Sequence, residues 1–268
     1  MKDFLTALRN GAQGSLDGVS DIVILAMVCV VALIILLSIV ALGVSLWLGI
    51  SYMKYNRKQN SAGKSGEEIA RRLLDSHGLQ HIRVTKTGSM LFGNSYSHYF
   101  KKVRLRRLTW QKKSVTSLAM AAQKSSLAVL DKENDADMQK RIKLTPVMNF
   151  GPLAFVPLVM IGLILDLFVL KSGNGICTIV LSVVGLVFYL LAFVMSLLVL
   201  KTEKKAQVRA VELMREQSLA TEEEIEMCRK LFRLYNIEYV NDMLMALLEL
   251  IYRVLQIIAA VQNNKQSK

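Results

Sequence analysis

Three histidines and a lone carboxylate within an apolar run are the first groups to test for chemistry. His77, His81 and His98 have no second ligand at a spacing that builds a metal site, so each reads as a structural or solvated side chain. Cys29 and Cys177 lie in apolar runs and Cys228 in a charged stretch. That pattern gives neither a disulfide framework nor zinc-ligand spacing, and all three read as buried free thiols. The sequence contains no glycine-rich phosphate cradle and no Ser/His/Asp arrangement. Asp166 is a functional candidate because a carboxylate inside a membrane run is costly. It stands about one helical turn from the outer end of its run, where snorkelling to the interface is the expected outcome. The basic patch Lys101, Lys102, Arg104, Arg106 and Arg107 has the charge to hold anionic lipid or nucleic acid. A solvated cytoplasmic face is the simpler reading; membrane lipid is an expected partner and nucleic acid is not.

These groups sit between uncharged walls. Residues 54–150 hold 20 Lys and Arg against 7 Asp and Glu, a balance of +13 that equals the total for the chain. Residues 22–53, 144–165 and 172–200 carry no charge at all, and the whole chain is 53% hydrophobic. About 20 apolar residues cross a bilayer core as a helix. The fold class expected is therefore a mainly α, multi-pass membrane protein with three transmembrane helices, or four as the alternative, and a small α+β cytoplasmic domain. A cleaved signal peptide does not fit residues 22–53, which are too long and lack a basic N-side.

The order expected along the chain is an extracytoplasmic N-terminus over 1–21 and a first crossing over 22–53. A basic domain over 54–143 follows, and then crossings over 144–170 and 176–200, joined by a short turn at 171–175. Charged helices fill 201–238, and a last helix covers 239–261. Lys and Arg crowd 54–64, 140–143 and 201–209, whereas the turn carries only Lys171, so the basic domain is expected inside and the turn outside. In the last helix Asp242, Glu249, Arg253 and Gln256 recur on one stripe, with Glu249 and Arg253 spaced to pair. An amphipathic helix lying on the membrane, or packed on the bundle, is the reading taken; a fourth crossing is the alternative.

Within the basic domain, Ser65-Gly66-Glu67-Glu68 reads as a capping box opening a helix that buries Ile69, Leu73 and Leu74 and ends at Gly78. Ile82/Val84 and Val103/Leu105 alternate as strands of a small sheet. A second helix over 114–131 places Val115, Leu118, Ala119 and Ala122 on one face, and 131–143 reads as a solvated turn or helix end. Thr221 with Glu222–Glu224 opens a later helix.

Several of these pieces, in order, resemble a bacterial membrane family, the YugP-type neutral zinc metallopeptidases. The resemblance rests on Glu68-Ile69-Ala70-Arg71-Arg72-Leu73-Leu74-Asp75-Ser76-His77-Gly78-Leu79, on Ile82-Arg83-Val84, on Val103-Arg104-Leu105 and on Pro146-Val147-Met148-Asn149-Phe150-Gly151. Glu222-Glu223-Glu224 and the apolar last helix extend it, so that it covers about 50–260. It implies a zinc peptidase whose second helix carries His-Glu-x-x-His, two ligands on one helix face with the Glu as general base. Here Gln123, Lys124 and Leu127 stand at those positions, and Glu203 stands where the resemblance puts a third ligand. An amide is a poor zinc ligand, leucine is none, and a lysine cation repels the metal. Of the family's segment upstream, Asn94-Ser95-Tyr96-Ser97-His98 keeps only the tyrosine.

The resemblance thus implies a non-catalytic relative, a pseudopeptidase with no zinc cofactor, acting as an interaction or regulatory subunit. The partner would be another membrane protein, an active relative or a second copy. Two alternatives are an active zinc peptidase with relocated ligands, such as His98, His77 or His81 with Glu203, and an anionic-lipid-binding anchor using the basic patch. Transport fits less well, since Asp166 is the only charge in the hairpin spans.

Overall fold

The computed structural model describes residues 2–11, 18–88, 93–170 and 175–266. Residues 171–174 of the expected hairpin turn lie outside the described residues. The elements run α1 (Lys2–Gly11), α2 (Asp21–Arg57), α3 (Gly66–Ser76), β1 (Arg83–Thr87), β2 (Ser95–Ser97), β3 (Lys102–Arg106), α4 (Arg107–Gln111), α5 (Val115–Lys132), α6 (Ala136–Ile164), a π-helical turn (Leu165–Val169), α7 (Ile176–Glu216) and α8 (Glu222–Gln266). Mainly helical with one small sheet, this is the expected fold class. The chain divides into two compact units, one of 42–143 with 197–240, the other of 1–41, 144–196 and 241–268.

The first unit holds the main core. α5 lies at its centre, with every residue from Val115 to Asp131 buried. The expectation of a single inward face fails here because α5 is enclosed all round. Its alanines and serines keep it thin enough for neighbours on every side. α3 packs beside it through Ile69, Leu73 and Leu74, all fully buried. The capping box forms as expected: Ser65 N–H donates to Glu68 Oε2 at 2.6 Å, and Glu68 N–H to Ser65 Oγ at 3.3 Å. Gly66 cannot carry a side chain, because a Cβ there would lie 2.1 Å from the carbonyl oxygen of Thr109. That close approach seats α3 against α4.

α3 ends in a Schellman turn: Leu79 N–H donates to Leu74 O, Gly78 N–H to Asp75 O, and Gly78 takes φ +65°. α5 and α7 end the same way around Asn134 (φ 55°) and Ser218 (φ 48°). Asp135 then caps α6, accepting from the N–H groups of Asp137 and Met138 at 3.0 Å. Residues 131–143 are therefore a helix end, a tight turn and a new helix, and the sequence undercounted their order because charge there partners charge on α7. Lys205 meets Asp135 at 2.7 Å, and Lys201 meets Asp137 at 2.9 Å.

The sheet has order β1-β3-β2, with β1 parallel and β2 antiparallel to the central β3. Val103 and Leu105 turn to the core from β3, as their alternation predicted. β2, only three residues long and two of them serines, gave no such signal.

Asp21–Arg57, Ile176–Glu216 and Glu222–Asn263 are long and apolar enough to cross a membrane, and Ala154–Val169 is a shorter apolar segment. The last helix, expected as amphipathic with a fourth crossing as the alternative, is a single unbroken helix with an apolar window of crossing length. Gly162 closes the contact between α6 and α7: a Cβ there would meet Thr178 Cα at 2.6 Å. Asp166 does not snorkel. It is 4% exposed and accepts from the N–H groups of Cys177 and Thr178 at 3.0 and 2.8 Å and from Thr178 Oγ1 at 2.7 Å. The carboxylate thereby satisfies donors that the start of α7 leaves without helical partners. Arg253 does not pair with Glu249 either. Its guanidinium lies 4.9 Å from the ring centre of Phe155 and 5.9 Å from that of Tyr189, and it donates to Gln256 at 2.9 Å. Of the thiols, Cys228 alone is buried, and Cys29 is exposed on the surface of α2.

Candidate functional site

α5 and α7 bring together three of the four residues that the resemblance pointed to, Gln123, Lys124 and Glu203. Glu203, on α7, is 2% exposed. Its Oε2 accepts from Gln123 Nε2 at 2.9 Å and from Lys124 Nζ at 2.8 Å, and its Oε1 from an Arg141 guanidinium N–H at 3.1 Å. Arg141 also donates to Thr202 Oγ1 at 2.7 Å, which fixes the fork of the guanidinium. Burial alone would raise the carboxyl of Glu203. The Lys124 and Arg141 cations and their hydrogen bonds more than offset it, and hold the group ionised below its ordinary value. Leu127 turns one face away into a small apolar cluster with Leu130, Met138, Ile142 and Ala206.

The chain matches a family model described as "Putative neutral zinc metallopeptidase" over residues 30–258. It belongs to that family. A similar protein is the "Putative membrane protease YugP" of Bacillus subtilis (strain 168), 28% identical over 223 residues, which cover 82% of this chain and 94% of that protein. No solved structure matches the chain.

The family implies zinc, and the cluster of Gln123, Lys124 and Glu203 does not fit the metal. A zinc ligand needs a lone pair aimed at the ion. Gln123 aims an N–H group at Glu203, Lys124 aims an ammonium, Leu127 has no donor atom, and both oxygens of Glu203 are committed to internal cations. The ammonium of Lys124 supplies a positive charge beside that carboxylate at 2.8 Å. Among the described residues no group of three or more His, Cys, Asp or Glu is arranged to hold a metal ion.

A second polar cluster in the same unit lay outside the sequence reading. Asp131, at the end of α5, accepts from Tyr96 OH at 2.5 Å and from Gln139 Nε2 at 3.0 Å, and its Oδ2 lies 2.6 Å from His98 Nδ1. Burial raises its carboxyl, but the hydrogen bonds from Tyr96, His98 and Gln139 prevail and lower it. Tyr96 is pushed well up by burial and by the Asp131 charge. His98 is thus spoken for by Asp131, His77 Nδ1 lies 3.0 Å from Leu73 O, and the partners of Glu203 include no histidine. The retained Tyr96 was the one signal that could have pointed here. Arg141 had none, being one basic residue among several ahead of an apolar run.

The basic patch is a strand face. Lys102 and Arg104 alternate with buried Val103 and Leu105 and lie 4.7 and 5.9 Å from the ring centre of Phe100, itself 61% exposed. Arg106 points toward Gly93, and Lys101 and Arg107 are exposed.

Proposed function

We propose that this chain is a non-catalytic membrane member of the zinc metallopeptidase family, without a zinc cofactor, acting as an interaction or regulatory subunit. The observation that carries the reading is the contact of Lys124 Nζ with Glu203 Oε2 at 2.8 Å. A lysine at the position of the family's general base cannot take a proton from a metal-bound water while it is the ammonium partner of the adjoining carboxylate. The scaffold that displayed the site persists around it, with its capping box, buried central helix and small sheet. A retained fold with a closed site suits binding: the partner would be another membrane protein, an active relative or a second copy.

We also infer that the basic domain faces the cytoplasm, a reading supported by the Lys and Arg of its flanks. Metal content and hydrolysis test the main reading. The purified full-length protein is expected to carry no stoichiometric zinc after exposure to zinc and washing, and to leave a casein-derived peptide mixture intact. Zinc at one equivalent per chain, or cleavage abolished by a chelator, overturns it and returns the relocated-ligand enzyme.

A further inference from the structure

The outer face of the sheet carries cations and no acid. Val103 and Leu105 point to the core, so Lys102 and Arg104 take the opposite side of β3. Register sets Arg83 of β1 beside Lys102 and Thr85 beside Arg104, with Ser97 and Ser95 of β2 against the same two cations. No Asp or Glu occurs in the three strands. Like charges in register on one face of a sheet repel. Arg83 and Lys102 are such a pair, and neither side chain reaches a carboxylate among the described residues. The turn 98–101 stands at the end where both strands begin: Lys101 N–H donates to His98 O at 3.2 Å, and Lys101 O accepts from Arg83 N–H at 3.0 Å. Lys101 takes φ 46°, a left-handed conformation that costs a residue with a Cβ. Tyr99 and Phe100 in this turn are 58% and 61% exposed. Asp131, which meets His98 of the turn, is buried, and its oxygens are also taken by Tyr96 and Gln139. A solvated face, the simpler reading of the sequence, accounts for the charge but not for the bare aromatic rings beside it.

Tyr99 decides what this face meets. Its hydroxyl donates to Ile142 O on α6 at 2.9 Å. The uncharged run of α6 begins at Leu144, about 3 Å further along the helix axis, with the exposed Lys143 between. A turn tied to α6 there lies at the headgroup level of the bilayer that the run enters. Aromatic rings beside Lys and Arg settle at that level, the rings at the acyl boundary and the cations on headgroup phosphates. Single-stranded nucleic acid also stacks on aromatics beside cations. It would have to reach a face that the bilayer already covers. We propose that Arg83, Lys101, Lys102, Arg104 and Lys143 form, with Tyr99 and Phe100, a site for anionic phospholipid headgroups where α6 enters the membrane. The proposal stands whether or not the chain is catalytic.

Phe100→Trp, with Trp47 and Trp110 replaced by phenylalanine, leaves the full-length protein one tryptophan, in the turn. It is reconstituted in phosphatidylcholine and phosphatidylglycerol at four to one. Bromine high on the acyl chains is carried either by the phosphatidylglycerol or by an equal share of the phosphatidylcholine, so bilayer charge is the same in both. Quenching from the anionic lipid is expected to exceed that from the neutral one about threefold. Arg83→Gln, Lys101→Gln and Lys102→Gln together should bring the ratio to about one. The charge-matched set Lys112→Gln, Lys113→Gln and Lys230→Gln, exposed cations elsewhere in the same unit, should leave it unchanged. A second measurement needs no tryptophan change. The wild type should melt higher in nanodiscs containing phosphatidylglycerol than in phosphatidylcholine alone, and the three glutamines at 83, 101 and 102 should narrow that difference. A ratio of about one in the parent, a ratio that survives those glutamines, one that the charge-matched set also abolishes, or an unaltered melting difference overturns the proposal. Loss of the ratio to inorganic phosphate at constant ionic strength overturns it too and assigns the face to a free anion. An oligonucleotide retained in phosphatidylcholine nanodiscs by the wild type, and not by the glutamine variant, gives the face to nucleic acid instead.

Discussion

At Glu203 the charge that neutralises a buried carboxylate is supplied by the chain itself. Removing one partner of such a pair leaves the other desolvated, whereas replacing both with apolar groups of similar size is often neutral. Lys124→Met is therefore expected to lose about 3 kcal/mol of stability, and Lys124→Met with Glu203→Met to recover most of it. Chemical unfolding of the three proteins measures both, and a double variant as weak as the sum of the singles would show that pairing is not the cause. The pH dependence follows from the same carboxyl. Its folded value lies below the ordinary 4.5, so folding favours the ionised form. That contribution is fully present above pH 4.5 and is lost as pH falls through the folded value. The advantage of the wild type over Glu203→Gln in melting temperature should hold from pH 7 to 5 and shrink below 4.5. Gln123, Lys124 and Glu203 were named from the sequence by resemblance, and the structure brings their side chains together. Arg141 and Asp131 were not: both sit in a charge-dense stretch whose local pattern is that of a solvated turn. Only the packing of that stretch against α7 and β2 turns surface-type residues into buried partners.

Among the elements, the three Schellman turns are built with different residues at the same left-handed position. Gly78 occupies it without strain, Asn134 is tolerated, and Ser218 at φ 48° carries a Cβ the conformation disfavours. Ser218→Gly is expected to stabilise the protein by about 1 kcal/mol, and Gly78→Ser to destabilise it by a similar amount. Thermal unfolding of the two variants checks the sign; a Ser218→Gly variant no more stable than wild type would place the favourable contacts of Ser218 above its strain. The capped start of α3 and its glycine end were legible because both signals are local. The enclosure of α5 was not, since a thin helix of alanines and serines shows the same periodicity whether one side is covered or all of them. β2 was missed for the opposite reason: three residues are too few for any alternation to register.

For the whole molecule, the decisive question is where α8 goes. Its 45 residues rise about 68 Å at 1.5 Å each, more than twice the hydrocarbon thickness. A helix of that length holds both a charged segment in water and a crossing. The sequence argued against the crossing because Glu249 and Arg253 stand inside it. The structure weakens that objection on one side, since Arg253 rests over Phe155 and Tyr189 with Gln256 as acceptor. Aromatic faces offset part of the cost of holding a guanidinium out of water. The flanks fit a crossing: residues 201–238 carry eight Lys and Arg and 262–268 carry two, so a crossing α8 would, by the tendency for basic flanks to stay inside, carry the C-terminus out. With α2, the α6–α7 hairpin and α8 all crossing, both ends of the chain emerge on the same outer side. A single cysteine at position 266, with Cys29, Cys177 and Cys228 replaced by serine, should then react with a membrane-impermeant maleimide on intact cells, as should one at position 10. A cysteine at position 101 should react only after permeabilisation. Labelling of position 266 only after permeabilisation would return α8 to the inner surface and leave three crossings.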